Sequence, residues 1–220
     1  MFARELLSDI IPSLKPSDTV QKAIDRMMEF RVSHLPIVNN KQFSGLICDN
    51  DLIEVLDYSL PVGSLSLSLH NPFVYEEQHI YDVIRLFHEQ KLSMVPVIDV
   101  KNNYLGVISI HTIVEYMATI TAVKEPGGII ILEVDNRNNS LAHISQIVES
   151  DNAQILSSYI KSFPDSTRLE ITLKVNRIDI APIVASFLRY NYTIKATFNT
   201  IKSDDGTLDR YDQLMNYLNI

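Results

Sequence analysis

The chain has 220 residues, 46% of them hydrophobic, and a formal net charge of -8, so it can bury a real core and has room for more than one small domain. The acidic balance argues against a nucleic-acid backbone or an anionic membrane as the main partner, since both select basic surfaces. Its single cysteine, Cys48, excludes an internal disulfide and a CxxC zinc site, a usage suited to a reducing compartment, and we expect a cytoplasmic protein.

Residues 2–14 supply Phe2, Leu6, Leu7, Ile10 and Ile11, a lead-in helix or strand expected to pack on the helix and strand pair next in the chain. Acidic residues interrupt this stretch where a signal peptide would have an apolar core, and no later run approaches the ~20 apolar residues needed to span a bilayer. Asp18 with Gln21 three residues on is a capping-box arrangement, and it predicts a helix over Thr19 to Phe30. Val20, Ala23, Ile24 and Met27 form its apolar stripe at helical spacing.

The stretch Ser33 to Leu52, SHLPIVNNKQFSGLICDNDL, then reads as strand, hairpin and strand, with a short closing helix over Asn50 to Asp57. Leu60 to Pro72 is a turn-rich join rather than a flexible linker. Past it, Ile80, Val83, Ile84 and Phe87 repeat the helical stripe, and Ser93 to Ile113, SMVPVIDVKNNYLGVISIHTI, repeats the strand pair. Ser33, Leu35, Pro36, Ile37 and Val38 align with Ser93, Val95, Pro96, Val97 and Ile98 at constant offset. Gly45 aligns with Gly106 one residue later, the extra residue falling in the turn. Two independent periodicities agree, so the chain carries an internal duplication.

The turn EPGG, Glu125 to Gly128, opens a different pattern. Ile129 to Val134 reads as a buried strand, Ser140 to Glu149 as a helix, Ala153 to Ile160 as a strand, and Leu169 to Val175 as a half-buried alternating strand. A helix over Asp179 to Arg189 and a strand over Tyr192 to Phe198 complete the order βαββαβ, which predicts an antiparallel ferredoxin-like sheet with two helices on one face. In the tail, Leu208, Tyr211, Met215 and Leu218 fall on one helical face that would dock on a neighbour.

The duplicated unit, with LPIV or VPVI and then a glycine, a strand and a short helix, resembles the CBS domain, which occurs in tandem. The βαββαβ segment looks like an ACT domain, and the combination is similar to the acetoin-utilisation accessory proteins. The resemblance implies an α+β chain divided into CBS repeats at 1–58 and 59–121, an ACT-like domain at 127–200 and a helical tail at 201–220. It also implies a regulatory protein, not an enzyme. Its ligand would be an adenine-containing metabolite (AMP, ADP, ATP or S-adenosylmethionine) in the cleft between repeats, and it would form a homodimer or larger oligomer acting on a protein target the sequence does not name.

The family's nucleotide motif places Ser or Thr after the glycine strand and Asp three residues later. A hydroxyl with free helix amides bonds a phosphate, and a carboxylate accepts from two ribose hydroxyls. GLICDND puts Cys48 at the hydroxyl position and keeps Asp51, whereas GVISIHT keeps Ser109 and puts Thr112 at the carboxylate position. The implied ligand contacts are therefore Asp51, Cys48, His34, Leu35 and Pro36 from the first repeat, and Ser109, Thr112, Val95 and Pro96 from the second.

Each has an ordinary structural alternative. Asp51 is also a first-turn acid favoured by the helix dipole, and Ser109 a helix N-cap. His34, with Arg31 three residues before it, is either a phosphate or base contact or a half-buried strand residue beside a solvated helix end. Their counterparts are Met94 and Lys91.

The remaining histidines show no ligand spacing, so no metal is expected. No nucleophile elbow, phosphate loop or paired carboxylates point to catalysis. Glu76 and Glu77 read as a solvated cap. In the third domain the turn around Arg137 and Asn138 lacks the glycine that amino-acid-binding ACT domains use, which favours assembly over ligand binding there. The alternative reading of the whole chain is a ligand-free oligomerisation or interaction module with degenerate nucleotide sites.

Overall fold

In the computed structural model, which describes residues 1–8, 10–70, 72–135, 140–164 and 166–199, the duplicated pattern folds as two copies of one plan. In the first, α1 (Val20–Phe30) buries Val20, Ala23 and Met27. Its N-cap is Thr19 rather than the predicted Asp18. Thr19 is extended, and its hydroxyl accepts from the Lys22 amide at 3.2 Å. One residue earlier, Asp18 turns instead to the Lys15 amide at 2.9 Å and the Lys22 ammonium at 2.7 Å. Burial pushes the Asp18 carboxyl up, but these bonds outweigh it and hold the group below the usual carboxylate range.

The helix stops at Arg31, which adopts the left-handed conformation with φ 52 and returns its amide to the carbonyls of Met27 and Met28. β1 (His34–Asn39) and β2 (Gln42–Cys48) pair antiparallel with Pro36 opposite Leu46, and the register slips between Ile37 and Val38. Leu14 bridges parallel to Ile37 as a vestigial third strand.

The second copy repeats this. β3 (Val74–Tyr75) sits parallel on β4 (Met94–Ile98), which pairs with β5 (Tyr104–Ser109) and slips register at the equivalent Val97 and Ile98. α2 (Ile80–Gln90) starts from a His79 N-cap and stops at a left-handed Lys91. Glu77, expected as a solvated cap, pairs with Arg4.

The copies differ where they close. α3 (Ile110–Ile120) is a full helix, but the helix predicted over Asn50 to Asp57 is only a 3-10 turn, Asp49–Leu52. A short helix survives by burying a stripe, and after Leu52 there is none, since Ile53 is 75% and Leu56 99% exposed.

The leading segments are exchanged. Residues 1–8 do not pack on the first repeat as expected. The amides of Ala3, Arg4 and Ser8 donate to the carbonyls of Gln78, Glu76 and Val107, and Ala3 and Leu6 join the core of the second repeat. In return, the join before the second repeat packs on the first. Val62 and Gly63 donate to the carbonyls of Asp18 and Pro16, Val20 donates to that of Leu60, and Val62 is buried with Leu35, Ile37 and Ile47. The hairpin tips also meet, with Phe43 donating to Asn102 at 3.1 Å and Tyr104 to Lys41 at 2.7 Å.

These elements, α3 as far as Tyr116, form one compact unit, and a second begins at Met117 within that helix. In the second unit β6 (Ile129–Asp135), α4 (Leu141–Ser150), β7 (Ile155–Ser162), β8 (Arg168–Val175), α5 (Ala181–Arg189) and β9 (Thr193–Phe198) follow the predicted order. The strands lie β7-β8-β6-β9, antiparallel throughout, which is the ferredoxin-like arrangement.

Alternate residues of β6 and β8 turn to the helices, so Ile130, Leu132, Ile171 and Leu173 are buried with Ile144, Val148, Val184 and Phe187. Ser140 caps α4 by accepting the His143 amide. The helix predicted from Asp179 starts at Ala181 with Ile180 at the N-cap position, and the Asp179 carboxylate accepts the Ala181 amide at 3.1 Å from outside the helix. Gly127 lies so close to Val175 that a Cβ would stand 1.9 Å from its carbonyl oxygen. Arg137, Asn138 and the tail residues Leu208, Tyr211, Met215 and Leu218 lie outside the described residues.

Candidate functional site

The end of β2 delivers Cys48 and Asp51 to one place. Asp51 is partly buried, and its carboxylate accepts the Cys48 amide at 2.9 Å through Oδ2 and the Ser68 amide at 3.1 Å through Oδ1. Burial pushes this carboxyl up, and the bonds from Cys48 and Ser68 overcome that and leave it below the usual carboxylate range. The buried Cys48 Sγ stands 3.5 Å from the Ser68 hydroxyl. Thus both first-repeat motif residues fasten the join, through a serine that sequence reasoning did not single out. The alternating run LSLSL was its only trace.

In the second repeat Ser109 and Thr112 face each other, with hydroxyls 3.0 Å apart and the Thr112 amide donating to Ser109 Oγ at 3.1 Å. Ser109 therefore acts as the N-cap of α3. His34 is buried at the start of β1, where its Nδ1 accepts from the Ser93 amide at 3.2 Å and lies 3.0 Å from the Ser93 hydroxyl. Burial depresses its basicity, and the nearby carboxylates of Asp49 and Asp51 only partly offset this.

Leu35 and Val95 are fully excluded from solvent, each in the core of its own repeat, and Pro36 and Pro96 are buried beside them. Expected as ligand contacts, these four residues have their side chains buried in the core. They shape the site from beneath.

The cavity of the first unit opens next to these residues, not over them. It measures about 470 Å³ and is lined by Ile24, Met27, Met28, Arg31, Val32, Ser33, Asp49, Leu52 and Ile53. The C-terminal turn of α1 forms one wall and the 3-10 turn the other. Its left-handed stop sets Arg31 at the rim, and the Asp49 amide, bonded to the Ser33 carbonyl at 2.9 Å, ties the floor together.

Of these residues, Arg31 is the one the sequence offers as a candidate ligand contact. Flexible methionines and branched aliphatics make a surface that accepts a flat ring, while a guanidinium, a hydroxyl and a carboxylate supply polar anchors. A volume in the range of ordinary small-molecule sites fits such a ligand.

The second unit has a cavity of about 410 Å³ where β6 meets α4, lined among others by Glu133, Asp135, His143, Tyr190 and Tyr192. His143 Nδ1 lies 2.9 Å from the Tyr192 hydroxyl, and burial pushes that phenol up. Glu133 is engaged by Arg168. Among the described residues no group of three or more His, Cys, Asp or Glu is placed to hold a metal, and no helix is long and apolar enough to cross a membrane.

The CBS domain family model matches residues 3–58 and 62–119. An inosine-5'-monophosphate dehydrogenase from Streptococcus pyogenes is 26% identical over 118 residues, 52% of this chain and 24% of that protein, so the chain spans about a quarter of the length of the curated relatives it matches. A CBS domain pair/ACT domain protein from Thermotoga maritima is 26% identical with a TM-score of 0.49, covering 53% of this chain and 96% of that one. A Vibrio cholerae structure assigned to acetoin utilization is 18% identical with a TM-score of 0.48, covering 56% of this chain and 95% of that one.

Proposed function

The chain belongs to the CBS domain family, carrying a tandem pair followed by an ACT-like domain, and from that premise we propose a regulatory protein whose first repeat takes up an adenine-containing metabolite. The observation that carries this reading is the cavity beside Arg31. Its Met27, Met28, Leu52 and Ile53 wall suits a base, its exposed guanidinium suits a phosphate or carboxylate, and the Asp49 carboxylate suits a ribose diol. AMP, ADP, ATP and S-adenosylmethionine all present these features.

The cavity is lined by first-repeat residues alone, so a bound ligand acts on the second repeat through the surface the first repeat presents to it, by linkage favouring whichever state it binds better. No catalytic step enters the proposal. The working division remains 1–58, 59–121, 127–200 and 201–220, with the ACT-like domain setting a homodimeric or larger assembly.

Thermal unfolding against each of the four metabolites tests this. Saturation at 100 times the dissociation constant adds ~2.7 kcal/mol, and a shift that Arg31→Asn removes supports the site, asparagine being tolerant of the left-handed backbone.

A second reading rests on a specific observation. The polar groups at the motif positions, and His34 beside them, are already bonded within the chain: Asp51 to Cys48 and Ser68, Ser109 to Thr112, and His34 to Ser93. That pattern suits a ligand-free assembly module. Absence of any shift with all four metabolites would establish it over the first, self-association being expected of both.

A further inference from the structure

His34 has no counterpart in the second repeat, where Met94 occupies the equivalent strand position. It is 93% removed from solvent, being 7% exposed, yet its ring reaches across from the first repeat to Ser93, the residue just before β4 of the second. The Ser93 amide donates to Nδ1, so that nitrogen carries no proton and the neutral ring holds its hydrogen on Nε2. The Ser93 hydroxyl, 3.0 Å from the same atom, completes the contact.

We propose that the His34–Ser93 bond is a proton-operated clasp between the two repeats, closed when the imidazole is neutral and opened by protonation at Nδ1. The proton converts the acceptor into a donor. The Ser93 hydroxyl oxygen can turn to accept it, but the Ser93 amide then has no acceptor in a half-buried position, and the start of β4 loosens from the start of β1.

The surrounding charges bear on this from every side. Asp49 and Asp51 face the ring from the 3-10 turn and favour the protonated form. Cys48 stands opposite in the β1–β2 register, and Arg31 and Lys91 end the two helices shortly before His34 and Ser93. Burial outweighs the carboxylates, so the ring stays neutral until the pH falls below its ordinary value of 6.5. The clasp therefore contributes fully above 6.5 and is lost as acidification passes the lowered folded-state value. Ser33, which precedes His34 in the chain, lines the cavity, so the clasp lies next to the proposed site, though it does not depend on any ligand binding there.

The test uses the full chain, isotopically labelled, followed by NMR between about pH 5 and 8. The His34 ring, assigned through its proximity to the Ser93 amide, should show the Nε2-protonated tautomer and titrate below 6.5. Exchange protection of the Ser93 amide, corrected for intrinsic rate, should fall about threefold to tenfold across that titration, the weight of one hydrogen bond. In His34→Met, which copies the second repeat, the pH dependence at Ser93 should vanish. An Nδ1-protonated tautomer, a midpoint at or above 6.5, or protection indifferent to the His34 titration would overturn the proposal. The wild-type measurements decide it even if the variant fails to fold.

Discussion

Replacing Asp51 by alanine separates a structural from a ligand-binding role. The carboxylate accepts two backbone amides, from Cys48 and Ser68, and a hydrogen bond to a charged group contributes ~1.5 to 3 kcal/mol. Partial exposure lowers this, since solvent screens the charge, and we take about 2 kcal/mol for the pair. For a unit of this size that is a drop of about 8 °C in the unfolding midpoint. The chain has no tryptophan, so calorimetry or circular dichroism is the suitable assay, with no ligand present. The pH dependence adds a second check. Because the folded-state value lies below 3.8, the contribution is complete above 3.8 and is lost as the pH falls through the lowered value. The difference between wild type and variant should therefore be flat across neutral pH and shrink in strong acid. An unchanged midpoint in the ligand-free variant would refute the reasoning and return Asp51 to a purely ligand-facing role.

Thr19→Ala should cost about 1 kcal/mol in a denaturant titration, and Thr19→Ser almost nothing, because the hydroxyl caps α1. Gly127→Ala should lower the unfolding midpoint of the second unit by an amount equivalent to about 2 kcal/mol or more, since the added carbon meets a backbone carbonyl that cannot swing aside. Leu35→Ala should cost about 2 to 5 kcal/mol through the cavity it leaves. Met28→Ala, at the exposed rim, should leave calorimetric stability nearly unchanged while weakening the nucleotide-induced shift.

The strand pairs were legible because each is a short aliphatic run around a proline, closed by a polar turn. The ferredoxin-like order was legible because Leu169, Ile171, Leu173 and Val175 alternate with a period that only a half-buried strand uses. What escaped was non-local. Nothing in Phe2 to Ile11 states which repeat it packs on, since either core would take its apolar side chains, and the exchange appears only as hydrogen bonds to Gln78 and Val107.

The cap misassignment was local but fine-grained: Asp18 and Thr19 are both good caps, and backbone geometry chose between them. For the site, the motif positions were readable, but their present partners were not. Ser68 reaches Asp51 from the join, and the cavity wall combines α1 with a turn that sequence alone predicts as a longer helix. Leu35 and Val95 show what a motif leaves unread: as its neighbours they suggest contacts, and the structure buries their side chains in the core.

The exchanged leading segments carry a consequence for how such a chain could have arisen. A lone ancestral repeat would have held out an arm with nothing of its own to receive it, beside an empty seat for the arm of another. Only a second copy satisfies both, so a single repeat would gain its missing contacts by pairing with a twin, at a rate set by its abundance. Gene duplication with a short join replaces that bimolecular encounter by an intramolecular one, whose effective concentration is of the order of millimolar. A chain cut within the join should accordingly yield two fragments that each recognise the other, and a repeat expressed alone should seek its own twin.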